Sequence, residues 1–176
     1  MEKALRFILP VIIIALAFLL YKSVADPIKE QAKVDYIEGR IKERMGKIKQ
    51  AQFAYRDRFD KFAPSFEELN RAMNDEKMPL IKVTGDKEDT NSVVVYDTTY
   101  ISLYEHAFGE TKVNLDSLPF VPENADKVKF EMKADVIVVN ETPVAVFMIK
   151  DPKPYSKKRG LILGSTSEPI FTGNWE

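Results

Sequence analysis

Residues 5–62 decide the fold of this chain, and their sequence is LRFILPVIIIALAFLLYKSVADPIKEQAKVDYIEGRIKERMGKIKQAQFAYRDRFDKF. The first part is apolar, because residues 7–21 carry no charge and follow Lys3 and Arg6. From Val34 to Phe62 the apolar residues recur every three or four positions, which is the period of one helical face. The stretch therefore predicts a membrane-type segment that continues into one long amphipathic helix.

The composition bounds the size and the chemistry of the protein. The chain has 176 residues, of which 30% are charged, and it has a net charge of −1, one histidine and no cysteine. The balanced charge argues against a nucleic-acid partner. The lack of thiols excludes disulfides and thiolate metal sites, and a single histidine excludes zinc sites with several histidines. About 150 residues follow the apolar segment, which is enough for one domain.

The amino-terminal segment has two interpretations. One is a signal peptide cleaved after Ala25, because small residues occupy positions 23 and 25. The other, which we favour, is an uncleaved anchor over residues 1–25. Asp26-Pro27 is typical of an N-cap and a first helical residue, so a helix would start again at once. Because few residues precede the span, we expect a single-pass protein of the inner membrane, with a cytoplasmic amino terminus and a periplasmic carboxy-terminal domain.

Beyond the anchor, the sequence divides into a charged stalk and one domain. Residues 26–40 contain many charges and few large apolar side chains, which predicts a solvated helical stalk. Residues 41–176 are predicted to form a single α+β domain, and the strongly apolar stripe of the helix begins at the same boundary.

Five residues of this stripe are the candidate interaction residues: Ile41, Met45, Ile48, Tyr55 and Phe59. Part of the stripe recurs every seven residues, so one interpretation is a coiled-coil seam that mediates self-association. The alternative is that the helix packs on a sheet of its own domain. We favour this alternative because arginines occupy companion positions of the seam.

The long helix is predicted to end near residues 62–64. Ser65 then stands three positions before Glu68, which forms a capping box and predicts a short helix to about Met73. The spacing of its apolar residues predicts that this second helix packs against the first.

A polar loop over residues 85–91 contains closely spaced carboxylates. Its Asp86, Glu88 and Asp89 are weak candidates for calcium ligands, since calcium takes several carboxylate oxygens. The loop lacks the regular ligand spacing and the distal glutamate of a calcium loop. The favoured interpretation is therefore a solvated loop.

The rest of the chain is predicted to form an antiparallel sheet. Alternation over residues 127–133 predicts a strand with one solvated face, and continuous apolar runs predict central strands. Gly173-Asn174 predicts a turn that folds Trp175 back on the core. The fold class is α+β: an amino-terminal transmembrane segment continuing into a long helix packed on an antiparallel β-sheet. The predicted strands are 92–104, 127–133, 136–139, 144–149, 161–163 and 170–171.

The sequence contains no legible catalytic constellation. His106, beside Glu105, is the one candidate general base, and no nucleophile accompanies it. We therefore expect a protein that is not an enzyme and needs no cofactor. A basic cluster either contacts the phosphates of anionic lipid or lipopolysaccharide or lies in a solvated loop, which is the favoured interpretation. Its members are Lys150, Lys153, Lys157, Lys158 and Arg159.

Part of the long helix and its exit carry a resemblance to a known family. The sequences AQFAYR at residues 51–56 and FDKFAPSFEEL at residues 59–69 resemble the amino-terminal third of pseudopilins, the subunits of type II secretion and type IV pilus-like systems. The family's glycine cleavage site and the glutamate inside its apolar run are absent here. The resemblance thus implies a pseudopilin-like helix without a prepilin peptidase site.

A second resemblance covers the whole length. The chain resembles a group of uncharacterised single-pass envelope proteins of Bacteroidetes over residues 55–69, 113–122, 143–147 and 173–176. This resemblance implies an envelope location. Together the two predict a structural or assembly component of a secretion or pilus-like machinery, whose partners are the inner membrane and other envelope proteins. The alternative is an exported periplasmic or surface binding domain released by signal peptidase.

Overall fold

The computed structural model of the chain describes residues 2–84, 95–156 and 160–176, with side chains from Pro10 onward except at 83–84 and 95–96. The chain divides into two units, Met1–Gly39 and Arg40–Glu176. The fold is mixed helix and antiparallel sheet, so the predicted α+β class is confirmed.

Helix α1 covers Glu2–Phe59 and contains both Pro10 and Pro27. The predicted new helix start at Asp26-Pro27 is therefore wrong, because the helix continues through these residues. The reason is that the fixed φ of proline is itself helical, so Pro27 removes one backbone hydrogen bond while its neighbours keep theirs.

Helix α1 ends three residues earlier than the sequence predicts. Asp60 follows it with φ at +58°, and its N–H donates to the carbonyl of Arg56 at 2.7 Å. A left-handed residue of this kind closes a helix because it satisfies a terminal carbonyl, and aspartate tolerates this conformation better than most residues.

The buried amide of Gln52 fixes the chain just beyond the helix end. Its Nε2 donates to the Ala63 carbonyl at 3.0 Å, and its Oε1 accepts from the Ala63 N–H at 2.8 Å. Gln52 is 0% exposed. Because both polar groups of Ala63 are satisfied by one side chain, the loop can return against α1 without losing hydrogen bonds.

Helix α2 covers Phe66–Asp75 and confirms the predicted cap. The Oγ of Ser65 accepts a hydrogen bond from the Glu68 N–H at 3.2 Å. The apolar face of this helix, which includes Leu69 and Met73, is buried in the core. The helix extends two residues beyond its predicted end.

Strands β1, Lys77–Thr84, and β2, Val95–Ser102, form a two-stranded antiparallel hairpin. The predicted extended segment 92–104 is too long at its end, since helix α3, Leu103–Phe108, begins after Ser102. The Ser102 Oγ accepts from the Glu105 N–H at 3.1 Å and so caps α3.

A second antiparallel sheet has the strand order β3-β4-β5. Its strands are Glu131–Val139, Thr142–Lys150 and Ile162–Gly164. Asn140 and Glu141 both have positive φ, at 48° and 66°, as the two-residue turn between β3 and β4 requires. The run 144–149 lies in the central strand, as predicted.

Three strand predictions need correction. The strand predicted over 127–133 begins at Glu131. Residues 128–130 form backbone hydrogen bonds and a bridge with residues 119–121 and are not part of this strand. The run 136–139 belongs to β3 at the sheet edge, so its apolar character does not reflect a central position. Residues 170–171 form no strand, and it is Gly173 that bridges to Leu163.

Four phenylalanines join the elements of the second unit. Phe62 lies 4.6 Å from Phe147, which in turn lies 5.7 Å from Phe171, measured between ring centroids. Phe53 of α1 contacts Phe171 at 5.4 Å. Each pair of this kind contributes about 0.5–1.5 kcal/mol beyond burial, so the cluster holds helix, loop, sheet and carboxy terminus together.

We expect Gln52→Ala to lower the free energy of unfolding by about 2–4 kcal/mol, because it leaves a buried N–H and a buried carbonyl of Ala63 without partners. Chemical denaturation of the full chain in detergent, followed by circular dichroism, measures the change. Gln50→Ala is the matched control, since Gln50 is an exposed glutamine on the same helix. Equal stability of the two variants would contradict this role of Gln52.

Candidate functional site

The apolar part of α1 is exposed throughout the described residues. The helix from Pro10 onward is long and apolar enough, by length and composition, to cross a membrane. Leu20, for example, is 72% exposed. The other large exposed side chains of this segment are Val11, Ile12, Ile13, Ile14, Leu16, Phe18, Leu19, Tyr21 and Val24.

The predicted interaction residues lie in the opposite environment. Ile41, Met45, Ile48 and Tyr55 are buried in the core of the second unit. Phe59 is half-buried, and its ring lies 4.5 Å from that of Tyr55. The structure therefore places this stripe in contact with its own domain, which is the alternative that the sequence favoured over a coiled-coil seam.

A cavity of about 300 Å³ opens between α1 and α2 beside Tyr55. The Tyr55 hydroxyl donates to Glu68 Oε1 at 2.5 Å. Burial, and secondly the Glu68 carboxylate, raise the pKa of Tyr55 to about 12. A phenol with this pKa stays protonated at neutral pH, so it acts here as a hydrogen-bond donor and not as a base. The remaining lining residues are Phe59, Lys61, Arg71, Ala72, Asp75 and Glu76.

Trp175 folds back on α1, as the sequence predicts. The Nζ of Lys42 lies 5.9 Å from the centroid of its ring, within the range of a cation–π contact. A Cβ at Gly173 would lie 2.3 Å from the same ring, so any larger residue there would displace the ring. Trp175 borders an open groove of about 660 Å³ whose rim also carries Lys47 and Glu43, which form an ion pair at 2.7 Å.

The single histidine contacts a carboxylate that the sequence did not indicate. His106 Nε2 lies 3.4 Å from Asp57 Oδ2, so the contact joins α3 to α1, and the N–H of the neighbouring Glu105 donates to Ser102, the cap of α3. Asp57 and His106 are both partly exposed. The geometry is that of a long, partly exposed surface contact, which contributes little to stability.

The calcium candidates Asp86, Glu88 and Asp89 lie outside the described residues, as do Lys157, Lys158 and Arg159 of the basic cluster. Of the remaining basic residues, Lys153 forms an ion pair with Asp126, and Lys150 is exposed at the end of β4. Within the described ranges, no group of three or more His, Asp or Glu side chains is arranged to hold a metal ion.

Asp151 is a buried carboxylate that the sequence did not single out. It is 1% exposed, its Oδ1 accepts from the Lys153 N–H at 3.0 Å, and its Oδ2 has no hydrogen-bond partner among the described residues. Burial raises the pKa of Asp151 above its ordinary value, and the backbone bond opposes this shift only in part.

Two hairpins expose apolar side chains that the sequence did not indicate. Leu80, Ile81 and Tyr100 are exposed on the β1–β2 hairpin. On β3, Val136 is 54% exposed and Val138 is 74% exposed. The sequence signal was ambiguous, because a run of β-branched residues is the same in a buried central strand and at an exposed edge.

These features define the class of the protein: an α+β unit that follows an amino-terminal helix able to cross a membrane. Comparisons with known proteins found no family model, no curated protein and no solved structure that matches the chain. The resemblances to pseudopilins and to envelope proteins therefore stay predictions, and the function is argued from the residues.

We expect Asp151→Asn to flatten the pH dependence of stability. Because the folded-state pKa of Asp151 is raised, the folded state binds this proton more tightly, and stability from this group falls as the pH rises above the ordinary value of 3.8. Asparagine carries no charge and keeps the oxygen that accepts from Lys153. The variant should therefore gain on the wild type as the pH rises from acid to neutral.

Denaturation at a series of pH values measures this difference, with exposed Asp116→Asn as the control. A variant that loses stability relative to the wild type as the pH rises from acid to neutral would show that the sign is wrong.

We expect Glu68→Gln to lower the pKa of Tyr55 from about 12 while leaving it above 10, because burial is the larger cause and persists in the variant. Ultraviolet absorbance during alkaline titration measures the ionisation of the seven tyrosines. Tyr55→Phe identifies the phase that belongs to Tyr55. An unchanged phase in Glu68→Gln would show that the carboxylate has no influence.

Proposed function

We propose that this chain is a non-enzymatic, single-pass protein of the cell envelope that serves as a structural or assembly component of a secretion or pilus-like machinery. Residues 1–25 anchor it in the inner membrane, residues 26–40 form a stalk and residues 41–176 form a periplasmic domain. The observation that carries the proposal is the continuous apolar surface of α1 between Val11 and Tyr21.

That surface is costly in water. Burying apolar area stabilises by about 25 cal/mol per Å², so a run of exposed Ile, Leu and Phe side chains favours transfer into an apolar phase. Soluble proteins rarely expose a contiguous patch of this kind. A helix satisfies its own backbone hydrogen bonds, so lipid can surround it on every side. A bilayer is the environment that fits this segment best.

The second unit supports a role in assembly. Its helix exit combines the Gln52–Ala63 pairing with the Ser65 cap, in the part of the chain that resembles pseudopilins. Five of its exposed apolar side chains lie on hairpins, where a neighbouring protein can reach them: Leu80, Ile81, Tyr100, Val136 and Val138.

A second candidate function is an exported binding domain. Small residues at Ser23 and Ala25 fit a signal peptidase, which would release a chain that begins at Asp26. In that case the groove beside Trp175 is the ligand site to examine, since it joins an aromatic ring to lysine side chains.

The lack of cysteine allows a direct test of topology. We expect the native chain to keep its first 25 residues in mass spectrometry and to stay in the membrane fraction after alkaline carbonate extraction. In whole cells with a permeabilised outer membrane, an impermeant maleimide should label Lys112→Cys and not Glu2→Cys. Both variants should react once the inner membrane is dissolved, and the wild type, with no thiol, gives the background.

A soluble mature chain that begins at Asp26 would contradict the anchor and support the released binding domain. Labelling of Glu2→Cys alone in intact inner membranes would reverse the proposed orientation. The assembly role has a separate test, which is crosslinking in living cells. A protein that crosslinks to no other envelope protein would contradict that role even if the anchor holds.

A further inference from the structure

The outer edge of strand β3 is open over most of its length. Strand β3 is the terminal strand of its sheet, and no described strand pairs with its free side. Just before β3, residues 119–121 pair with residues 128–130. The Val121 N–H donates to the Val128 carbonyl and the Phe130 N–H donates to the Pro119 carbonyl, both at 2.8 Å. Among the residues that the structure describes, this cover ends at Phe130, so the edge has no partner strand from Met132 onward.

Three observations show which backbone groups point outward. Val138 pairs with Pro143, which has no N–H, so this pair cannot be of the hydrogen-bonded kind. Val136 donates its N–H to the side chain of Asp135 at 2.8 Å and not to β4. Phe130 is an even number of residues from both Val136 and Val138, and its N–H donates to Pro119 and so points away from β4. Since the two kinds of pair alternate, Met132, Ala134, Val136 and Val138 present their N–H and C=O groups to the open side.

The side chains along this edge are self-complementary. Lys133 and Asp135 are both exposed, and they lie on either side of Ala134. Two antiparallel copies of β3 centred on Ala134 would therefore bring Lys133 of each copy opposite Asp135 of the other. Both contacts would be non-hydrogen-bonded pairs, in which cross-strand side chains approach most closely.

We propose that β3 pairs with β3 of a second copy of this chain, in an antiparallel register centred on Ala134. The hydrogen-bonded pairs are Ala134 with Ala134, and Met132 with Val136 in both directions. The two three-stranded sheets then form one six-stranded sheet around a two-fold axis. The inference rests on the sheet edge alone and does not depend on the membrane anchor.

The charges select this register. Centring the pair on Asp135 would place two carboxylates opposite each other, and like charges in that position are destabilising. Centring it on Val136 would oppose Asp135 to Ile137 and lose both ion pairs. Centring it on Met132 would oppose Glu131 to Lys133, but that register needs the backbone of Phe130, whose N–H already bonds to Pro119. The Ala134 centre opposes Lys133 to Asp135 twice and leaves this bond in place.

The pairing also gives the Val136 N–H a backbone carbonyl as its acceptor in place of the adjacent Asp135 side chain. The Val136 N–H exchanges its bond to Asp135 for the carbonyl of Met132 in the second copy, which releases the Asp135 carboxylate to meet Lys133. Val136, which is 54% exposed, comes to lie beside Met132 of the second copy. Beyond this, the Phe130–Pro119 bond blocks further pairing, so the interface has a defined end.

Charge reversal tests the proposal on the full chain in detergent, with sedimentation velocity as the measurement. We expect Lys133→Asp and Asp135→Lys each to weaken self-association by at least about tenfold, because each turns two attractive pairs into two repulsive ones. Across β3–β4, Lys133 faces Met148 and Asp135 faces Val146, so neither change breaks an ion pair inside the sheet. Lys112→Asp, at an exposed position, is the matched control.

Restoration of charge complementarity makes the test specific. A mixture of the two single variants should associate as heterodimers, and the double variant Lys133→Asp/Asp135→Lys should recover wild-type association. A monomeric wild type at concentrations up to about 100 μM would overturn the proposal. So would a dimer that Lys133→Asp leaves intact, or a double variant that remains as weak as the single variants.

Discussion

The pairing of the Gln52 amide with the backbone of Ala63 is the interaction on which the second unit depends. A glutamine side chain offers one donor and one acceptor in the same plane, which matches the N–H and C=O of one residue. Because the contact is fully buried, its loss has no compensation from water. The contact holds the chain against α1 just beyond the left-handed residue Asp60.

The Gln52–Ala63 contact also positions the elements that follow in the chain. Phe62 enters the aromatic cluster beside Phe147, and Ser65 reaches the start of α2 in the extended conformation that an N-cap requires. Helix α2 then leads into the β1–β2 hairpin. The same contact brings the helix close enough to the sheet for Gln52 Nε2 to contact the Met132 sulfur of β3 at 2.9 Å. The Gln52 side chain therefore links helix α1, the loop after it and strand β3.

Much of the local structure was predictable from the residues. The cap at Ser65, the central strand 144–149 and the return of Trp175 all follow short-range rules, in which a few neighbouring residues determine the backbone. The predictions that failed needed information from distant residues. Strand β3 begins at Glu131 only because residues 119–121 occupy the preceding backbone, and 170–171 form no strand since Gly173 makes the bridge to Leu163.

The sequence by itself determined that the chain begins with a long apolar helical segment, that an amphipathic helix continues it, and that an α+β unit follows. These properties depend on periodicity and composition, which can be read from neighbouring residues of the sequence. Only the tertiary structure decided that the helical stripe is buried in its own domain, that β3 is an edge, and that Val136 and Val138 face solvent. The physical reason is that burial and strand order depend on contacts between residues far apart in sequence, and an apolar run has the same pattern whichever surface it faces.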